Sequence, residues 1–392
     1  MRTLLPLLLA LVFALVPATL FAQDMEDPVV FCGDLTEEQC MLLTDTAANM
    51  EGMTSGAYES TLDFLLIGIP EAPFNEIAVN WNQLGAYVSD PDFQAKLDAM
   101  SDEEMMAMSG DPEAAIAFAM DVFDNIDTAQ QTNIMLGEET AELLSANIGY
   151  PLPTDISIRF AIVDGVGYIN LDDLAAIVPE MGGMTGWIGT ELRPVLEYVL
   201  ENADLEASGS DDMAQIGAMA AVASPEAQLE IFGDYLDIAQ TSEDPAVFVT
   251  TFDMGAFVTS PAFIEMVVSQ IEATEGAPIS AGDIAQAQAM LPMVAPMLFG
   301  GLDVSSVQTI DPASMYTLDY ATTFEWDLSS LISMAAMTGA MPPAPAGAQT
   351  FVGFNTNTVY GDHNAIEAIE LPENAMFVPG ETVVQMLEQS VQ

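Results

Sequence analysis

Residues 156–171 read Ile-Ser-Ile-Arg-Phe-Ala-Ile-Val-Asp-Gly-Val-Gly-Tyr-Ile-Asn-Leu, and this stretch decides the fold class. From Ile156 to Ile162 every second residue is large and apolar, which is the period of a β-strand with one apolar face. The Asp164-Gly165 pair is a strong signal for a two-residue hairpin turn, and a second strand returns after it. The stretch therefore predicts two neighbouring antiparallel strands.

The same alternation marks other segments along the chain. It is clear in residues 58–66 and 316–326, and we expect a last pair of strands, 351–360 and 365–371, around Gly361-Asp362. Most of these strands carry an apolar face and an acidic face. That pattern is typical of an antiparallel sheet that is covered on one side only.

Helices are indicated between these strands by their first residues. Asp111-Pro112-Glu113 predicts the start of a helix, and proline is favourable at that position because its missing N–H would be unpaired anyway. Capping or proline signals at Ser101, Ser224 and Ser260 predict further helices, the one after Ser224 carrying Leu229, Phe232, Leu236 and Ala239. The expected fold class is therefore α+β.

Residues 284–299 form an unusual segment that is apolar on all sides and rich in methionine. Pro292 and Pro296 must kink or break a helix there, since an interior proline costs roughly 3 kcal/mol. One interpretation is a pliable lid over a hydrophobic cavity, because methionine adapts to ligands of varied shape. The alternative is a buried core helix of a large domain.

The charge of the chain excludes several classes of partner. The sequence has 60 acidic residues, and beyond residue 22 its only basic side chains are Lys96, Arg159 and Arg193. Nucleic acids and anionic membrane surfaces are bound through Lys and Arg, so we expect neither as a partner. Diffuse binding of divalent cations is compatible with such a surface, but no specific metal site or cofactor is expected.

The first 22 residues predict export. Arg2 is followed by an apolar run and then by Leu20-Phe21-Ala22, an acceptable cleavage site for a signal peptide. A retained anchor helix is the alternative, and Pro6, Pro17 and the abrupt change to acidic sequence favour cleavage. We therefore expect a soluble protein that is secreted or lies in the periplasm or cell envelope.

Cys32 and Cys40 are the only cysteines of the chain. In an exported protein, an even pair this close in sequence predicts one disulfide. Metal ligation is the alternative, but two thiols and one distant histidine are a poor zinc set.

Several segments resemble exported lipid- and lipoprotein-binding proteins of the LolA/LppX type. Residues 158–171, followed by Gly186-Trp-Ile-Gly-Thr-Glu-Leu192, are similar to the family's strand, Asp-Gly turn, tyrosine-bearing strand and tryptophan-bearing strand. Residues 316–328 fit the long strand that precedes the end of the domain, and residues 360–375 look like its last strand. The resemblance covers about a quarter of the chain. The lipid-attachment Cys of many relatives is missing, so a membrane tether is not implied.

The resemblance implies a curved antiparallel half-barrel with helices covering its concave face, and a cavity that holds acyl chains. The chain would be a signal peptide, 1–22, and one domain, 23–392, with helical insertions near 90–150 and 205–300. The expected cavity wall is aromatic and methionine-rich: Phe64, Phe160, Tyr168, Trp187, Phe324, Trp326, Met293 and Met297. The alternative is that these aromatic residues simply pack against the helices.

Catalysis has little support in the sequence. His363 is the only histidine, and its place in a predicted turn is typical of a solvated surface residue. No nucleophile elbow, phosphate-binding glycine loop or zinc-protease motif is present. We therefore expect a non-enzymatic protein. The leading hypothesis is an exported carrier of a lipid-like ligand, and the alternative is an acidic structural or interaction protein of the cell envelope with a filled core.

Overall fold

The computed structural model describes residues 30–391, except 71, 73, 99, 101–111, 149, 178–184, 203–228, 230–231, 262, 265–267, 269–281, 283–288, 294, 297–298 and 339–348. The predicted signal peptide, the Ser101 and Ser224 helix starts and Met297 lie outside the described residues.

Twelve strands of the described residues form a single sheet, which confirms the α+β class. The strands are β1 (Ser55–Ile67), β2 (Glu76–Ser89), β3 (Ile126–Leu136), β4 (Asp155–Val163), β5 (Val166–Asn170), β6 (Trp187–Glu191), β7 (Leu236–Glu243), β8 (Ala246–Phe252), β9 (Leu302–Asp311), β10 (Tyr316–Asp327), β11 (Phe351–Gly361) and β12 (Met376–Phe377).

The strand order is β12-β6-β5-β4-β3-β2-β1-β11-β10-β9-β8-β7, so the sheet is open with β12 and β7 at its edges. All neighbours are antiparallel except β12 and β6, which are parallel. β1 lies between β2 and β11. The first and last long strands of the chain therefore meet in the middle of the sheet.

Nine α-helices are defined among the described residues, with one 3₁₀ turn at Gly233–Tyr235. The helices are α1 (Glu37–Glu51), α2 (Pro91–Asp98), α3 (Pro112–Asn125), α4 (Glu138–Ile148), α5 (Leu171–Ile177), α6 (Leu192–Asn202), α7 (Met254–Val258), α8 (Ser329–Thr338) and α9 (Gly380–Val391). None of the helices in this part of the chain is both long and apolar enough to cross a lipid bilayer.

Among the described residues a hairpin followed by a helix occurs four times, at β1-β2-α2, β4-β5-α5, β7-β8-α7 and β9-β10-α8. In each unit an Asp or Asn follows or ends the second strand, and its side chain accepts a hydrogen bond from the first turn of the helix. These residues are Asp90, Asn170, Asp253 and Asp327. Such caps satisfy N–H groups that a helix leaves unpaired, so each capping residue marks where a strand becomes a helix.

The register of the strands defines two faces, because directly paired residues share a face and successive residues alternate. The aromatic face carries Tyr58, Phe64, Trp81, Phe160 and Phe324. The polar face carries Glu59, Asp63, Asn82, Asn133 and Asn355. The alternation read from the sequence thus corresponds to two chemically different sides of one sheet.

Helix α1 packs on the aromatic face near the sheet end where the chain leaves β2 and enters β3. Leu43 lies in a buried cluster with Ile238, Phe248 and Ile310. Further along, Met50 packs against a second cluster, Met53 with Tyr58 and Tyr87. Cys32 and Cys40 are bonded, with their Cα atoms 5.3 Å apart, which confirms the predicted disulfide. The bond joins the chain before α1 to its first turn.

Three expectations about the elements differ from the structure. The regions 90–150 and 205–300, expected to be helical insertions, contain β3, β7 and β8. Leu236 and Ala239, expected on a helix, lie on β7. Residues 365–371 do not form the expected last strand, because both edges of β11 are already paired, to β1 and to β10.

Candidate functional site

Two neighbouring rows of the aromatic face consist only of apolar side chains. They lie near the sheet end that carries the 68–75 turn, and we call them the apolar patch. The first row, read across β9 to β3, is Val304, Phe324, Phe354, Phe64, Val79 and Leu136. The second row is Leu302, Trp326, Val352, Leu66 and Ile77. With strands about 4.8 Å apart, the first row is about 24 Å long.

Side chains of the apolar patch keep part of their surface accessible. Phe354, in the middle of the first row, is 37% exposed, and no member of the patch is fully buried. Under α1, in contrast, Phe248 and Ile310 on the same face are 1% and 0% exposed. The aromatic face is therefore filled at one end and accessible at the other.

A polar row separates the apolar patch from the tyrosine cluster under α1. The Ser60 and Thr358 hydroxyls lie 2.8 Å apart, and the Gln83 amide donates to the Tyr58 hydroxyl at 3.3 Å. Burial raises the pKa of Tyr58 and of Tyr87 well above the usual value. These phenols therefore remain neutral over the physiological range of pH.

Phe299, the last residue of the segment 284–299, contacts the apolar patch. The Phe299 ring stacks on the Trp326 ring, with centroids 5.6 Å apart and planes 16° apart. Ala295 is 1% exposed and lies in a cluster with Phe257 and Val258 of α7. Met293 points to solvent and is 77% exposed.

The six aromatic residues of the predicted cavity wall fall into three groups. Phe64 and Phe324 are two positions apart in the first row of the patch, and Trp326 is in the second row. Phe160 shares their face but lies on β4, beside Gln130 and Ile169. Tyr168 and Trp187 lie on the opposite face, where the Tyr168 ring covers Gly189.

Phe354 is the aromatic residue of the patch that the sequence prediction missed. It pairs with both Phe64 and Phe324 and so joins them into one surface. The signal was available, since Val352 and Phe354 alternate with glycine and asparagine within the predicted strand.

A cavity of about 560 Å³ lies at the same end of the sheet and is lined mainly by residues of the polar face. Leu65, Ala78 and Gly353 belong to its floor, and the Phe351 ring lies over Gly353. Asp63, Asn355 and Glu325 also line it, together with Asn80, which donates a side-chain hydrogen bond to Asp63. Phe64, Val79 and Leu136 border it as well.

His363 lies in a turn, as the sequence predicts, but it is not a solvated surface residue. Its ring is half-buried and stacks on Tyr316, with centroids 4.5 Å apart, and its Nε2 lies 3.1 Å from the Thr317 carbonyl oxygen. Next to it, Asn364 accepts from the Thr54 amide and donates to the Tyr316 hydroxyl. These contacts fix the end of β11 against the start of β1.

All three basic side chains that follow residue 22 are used in ion pairs. Lys96 pairs with Asp121, Arg159 with Asp173, and Arg193 with Asp124. Arg159 is bidentate, and its hydrogen bonds to Asp173 raise its pKa. Within the described residues, no three His, Cys, Asp or Glu side chains are grouped so that they could hold a metal ion.

No protein-family model matches this sequence, and no curated protein matches it either. The apolar patch and the polar-face cavity are therefore interpreted from their own geometry.

Proposed function

We propose that this chain is an exported, non-catalytic carrier or binding protein for a hydrophobic, lipid-like ligand, and that the ligand lies on the apolar patch. In this proposal the sheet is a half-barrel, the aromatic face is its concave side, and the helices cover that side. The single observation that supports it best is the pair of apolar rows, which crosses up to six strands and keeps its central side chain, Phe354, 37% exposed.

Burial of such a surface would drive binding without many polar contacts. Each Å² of apolar surface removed from water contributes about 25 cal/mol. A ligand with one long alkyl chain can follow the first row across the strands. The polar row at Ser60 and Thr358 would then limit how far an apolar ligand extends towards α1.

The segment 284–299 is the proposed movable cover. Phe299 already lies on the Trp326 ring at one edge of the patch, so a small movement of this segment would change access to the second row. Pro292 and Pro296 weaken helical hydrogen bonding there, which favours such a movement.

The charge of the chain restricts the headgroup of the ligand. With 60 acidic residues and four basic ones, the surface repels anions. Neutral or cationic amphiphiles are therefore the preferred class, and so are ligands presented together with Ca²⁺.

The test is a titration of the folded protein with a fluorescent probe that carries a long alkyl chain and a neutral headgroup. We expect saturable binding, and we expect Phe354→Ser to weaken it. A Phe side chain has about 200 Å² of surface, so covering the exposed third of Phe354 contributes roughly 2 kcal/mol, or about 20- to 30-fold in Kd.

Leu84→Ser is the matched control, because Leu84 is similarly exposed, at 42%, but lies on the polar face. It should leave probe affinity unchanged. Absence of saturable binding to the folded wild-type protein would overturn the carrier proposal and favour an acidic structural or interaction protein with a filled core. Equal losses in the two variants would show that the probe does not bind the patch.

A further inference from the structure

Three hydroxyl groups border the apolar patch on the aromatic face of the sheet. Thr322 of β10 pairs with Ser306 of β9 on one side and with Thr356 of β11 on the other. We call these three residues the hydroxyl triplet. Each is two residues along its strand from an apolar side chain of the first row, so the triplet lies about 7 Å from that row.

The hydroxyl groups of the triplet are free to bind a ligand. In the polar row beyond them, Ser60 bonds with Thr358, and Gln308 donates to the Thr317 hydroxyl. The triplet residues are half-buried, and their side chains make no hydrogen bond to a described residue. None of their oxygen atoms is shut off from solvent. A ligand on the apolar patch can therefore reach them.

The face that carries the triplet is free of charged side chains in the six strands that form the apolar patch, β1, β2, β3, β9, β10 and β11. These strands contain no Lys or Arg. Register places all nine of their acidic residues on the polar face: Glu59, Asp63, Glu76, Asp127, Asp303, Asp311, Asp319, Glu325 and Asp327. A cationic headgroup at the triplet would thus find no carboxylate on the same face of these strands, and a charge removed from water without a partner is costly.

A neutral headgroup with hydroxyl groups suits the triplet best. Each Ser or Thr hydroxyl can donate one hydrogen bond and accept two, so a ligand hydroxyl can act as either partner. An ester or ether oxygen only accepts and would use half of this capacity. The triplet extends over two strand spacings, or about 10 Å, which is enough for a small polyol.

We propose that the ligand of the apolar patch is a neutral amphiphile with a hydroxylated, glycerol-like headgroup. The headgroup bonds with the hydroxyl triplet, and the alkyl chain follows the first row from β11 towards β3. This inference rests on the carrier function proposed above, and it narrows the ligand class from neutral or cationic amphiphiles to those with a polyol headgroup.

The test compares monodecanoylglycerol with methyl decanoate, which has the same acyl chain but no hydroxyl group. Both displace the fluorescent probe from the full-length protein, at concentrations below those at which they form micelles. We expect Thr322→Val and Thr356→Val each to weaken monodecanoylglycerol binding about 3- to 10-fold, the effect of one lost hydrogen bond. Neither should weaken methyl decanoate binding. Valine keeps the β-branched shape that suits a strand, so both variants should fold.

Thr323→Val is the matched control. Thr323 follows Thr322 on β10 but pairs with Asn355 on the polar face, so its substitution should leave both affinities unchanged. Unchanged monodecanoylglycerol binding in the Thr322 and Thr356 variants, or equal weakening of both ligands, would overturn the headgroup inference and leave the carrier function standing. Failure of both ligands to bind the wild-type protein would overturn the carrier function as well.

A third ligand, decyltrimethylammonium, tests the neutral charge of the headgroup. At about 0.5 M salt, diffuse attraction of a cation to the acidic surface is screened. We expect this ligand to bind the wild-type protein more weakly than monodecanoylglycerol under those conditions. Tighter binding of the ammonium would overturn the inference in favour of a cationic headgroup.

Discussion

At the scale of single residues, three glycines determine where aromatic rings lie on the sheet. A Cβ atom at Gly85 would collide with the Tyr58 ring, one at Gly189 with Tyr168, and one at Gly353 with Phe351. Each aromatic residue thus covers a glycine of a neighbouring strand or of its own strand. The sequence shows glycines and aromatic residues but not these pairings, because strand register is a property of the whole sheet.

We expect Gly85→Ala to destabilise the fold by about 1–3 kcal/mol, the usual cost of overpacking a well-filled core. The added methyl group would displace the Tyr58 ring from the cluster under α1. Gly361→Ala is the control, since a Cβ there meets no atom within 4 Å. Urea denaturation measures both variants, and a Gly85→Ala variant as stable as Gly361→Ala would contradict the packing described for Tyr58.

At the scale of elements, the sequence predicts strands well where one face is apolar and the other polar. β1, β4, β10 and β11 have that pattern and are confirmed, and β5 is confirmed as the strand that returns after the Asp164-Gly165 turn. β2 and β3 were missed, because β3 places Gln130 and Thr132 on its buried side and both strands carry Asn or Gln on the polar face.

The candidate site was predicted only in part, because alternation shows that a strand has two faces but does not show which face of the sheet each one joins. Phe64, Phe324 and Trp326 could be chosen from alternation, whereas Tyr168 and Trp187 sit on the other face of the sheet. Which face a short strand presents depends on its register with its neighbours. The polar-face cavity could not be predicted, since Asp63, Asn355 and Glu325 come from three strands far apart in sequence.

The four capped helices give a prediction at the element scale. Asp253 accepts from the Ala256 amide at 2.8 Å and so caps α7, whose Phe257 and Val258 are buried. We expect Asp253→Ala to lower the free energy of unfolding by about 1 kcal/mol. Glu243→Ala, at the exposed end of β7, should change it little. Chemical denaturation measures the free energy of unfolding of both variants. Equal stability of the two would argue against a capping role for Asp253.

At the scale of the whole molecule, the acidic excess makes stability depend on salt. Repulsion between exposed carboxylates is screened beyond about 8–10 Å at moderate ionic strength. We therefore expect the melting temperature to rise between about 20 mM and about 500 mM salt. A melting temperature that stays constant over this range would contradict the view that self-repulsion limits stability.

The stability of the fold depends on pH in two opposite ways, since some carboxyl groups favour folding at low pH and others at high pH. Burial raises the pKa of the Asp319 carboxyl above its usual value, so the native state holds this proton more tightly than the unfolded chain. The stability contributed by Asp319 is therefore lost as pH rises through its native pKa. Hydrogen bonds from Ser314 and Ala313 lower the pKa of Asp311, whose contribution is instead lost as pH falls.

We expect Asp319→Asn to stabilise the protein at neutral pH, because it removes a charge that folding desolvates, and to have less effect in mild acid. Asp237→Asn, which also removes one carboxylate but from an exposed position on β7, is the control for net charge. Thermal melts at several pH values measure both. A gain in stability that is the same for the two variants at every pH would mean that net charge, not burial of Asp319, is responsible.

The central claim is that a hydrophobic ligand lies on the apolar patch, and photo-crosslinking tests it most directly. The probe is a long-chain alcohol with a diazirine in its alkyl chain, and the adducts are mapped by peptide mass spectrometry. We expect adducts on β1, β10 and β11, around Phe64, Phe324 and Phe354, and on residues 284–299, and we expect unlabelled alcohol to reduce this labelling. Adducts confined to β5 and β6, or labelling that unlabelled alcohol does not reduce, would contradict it.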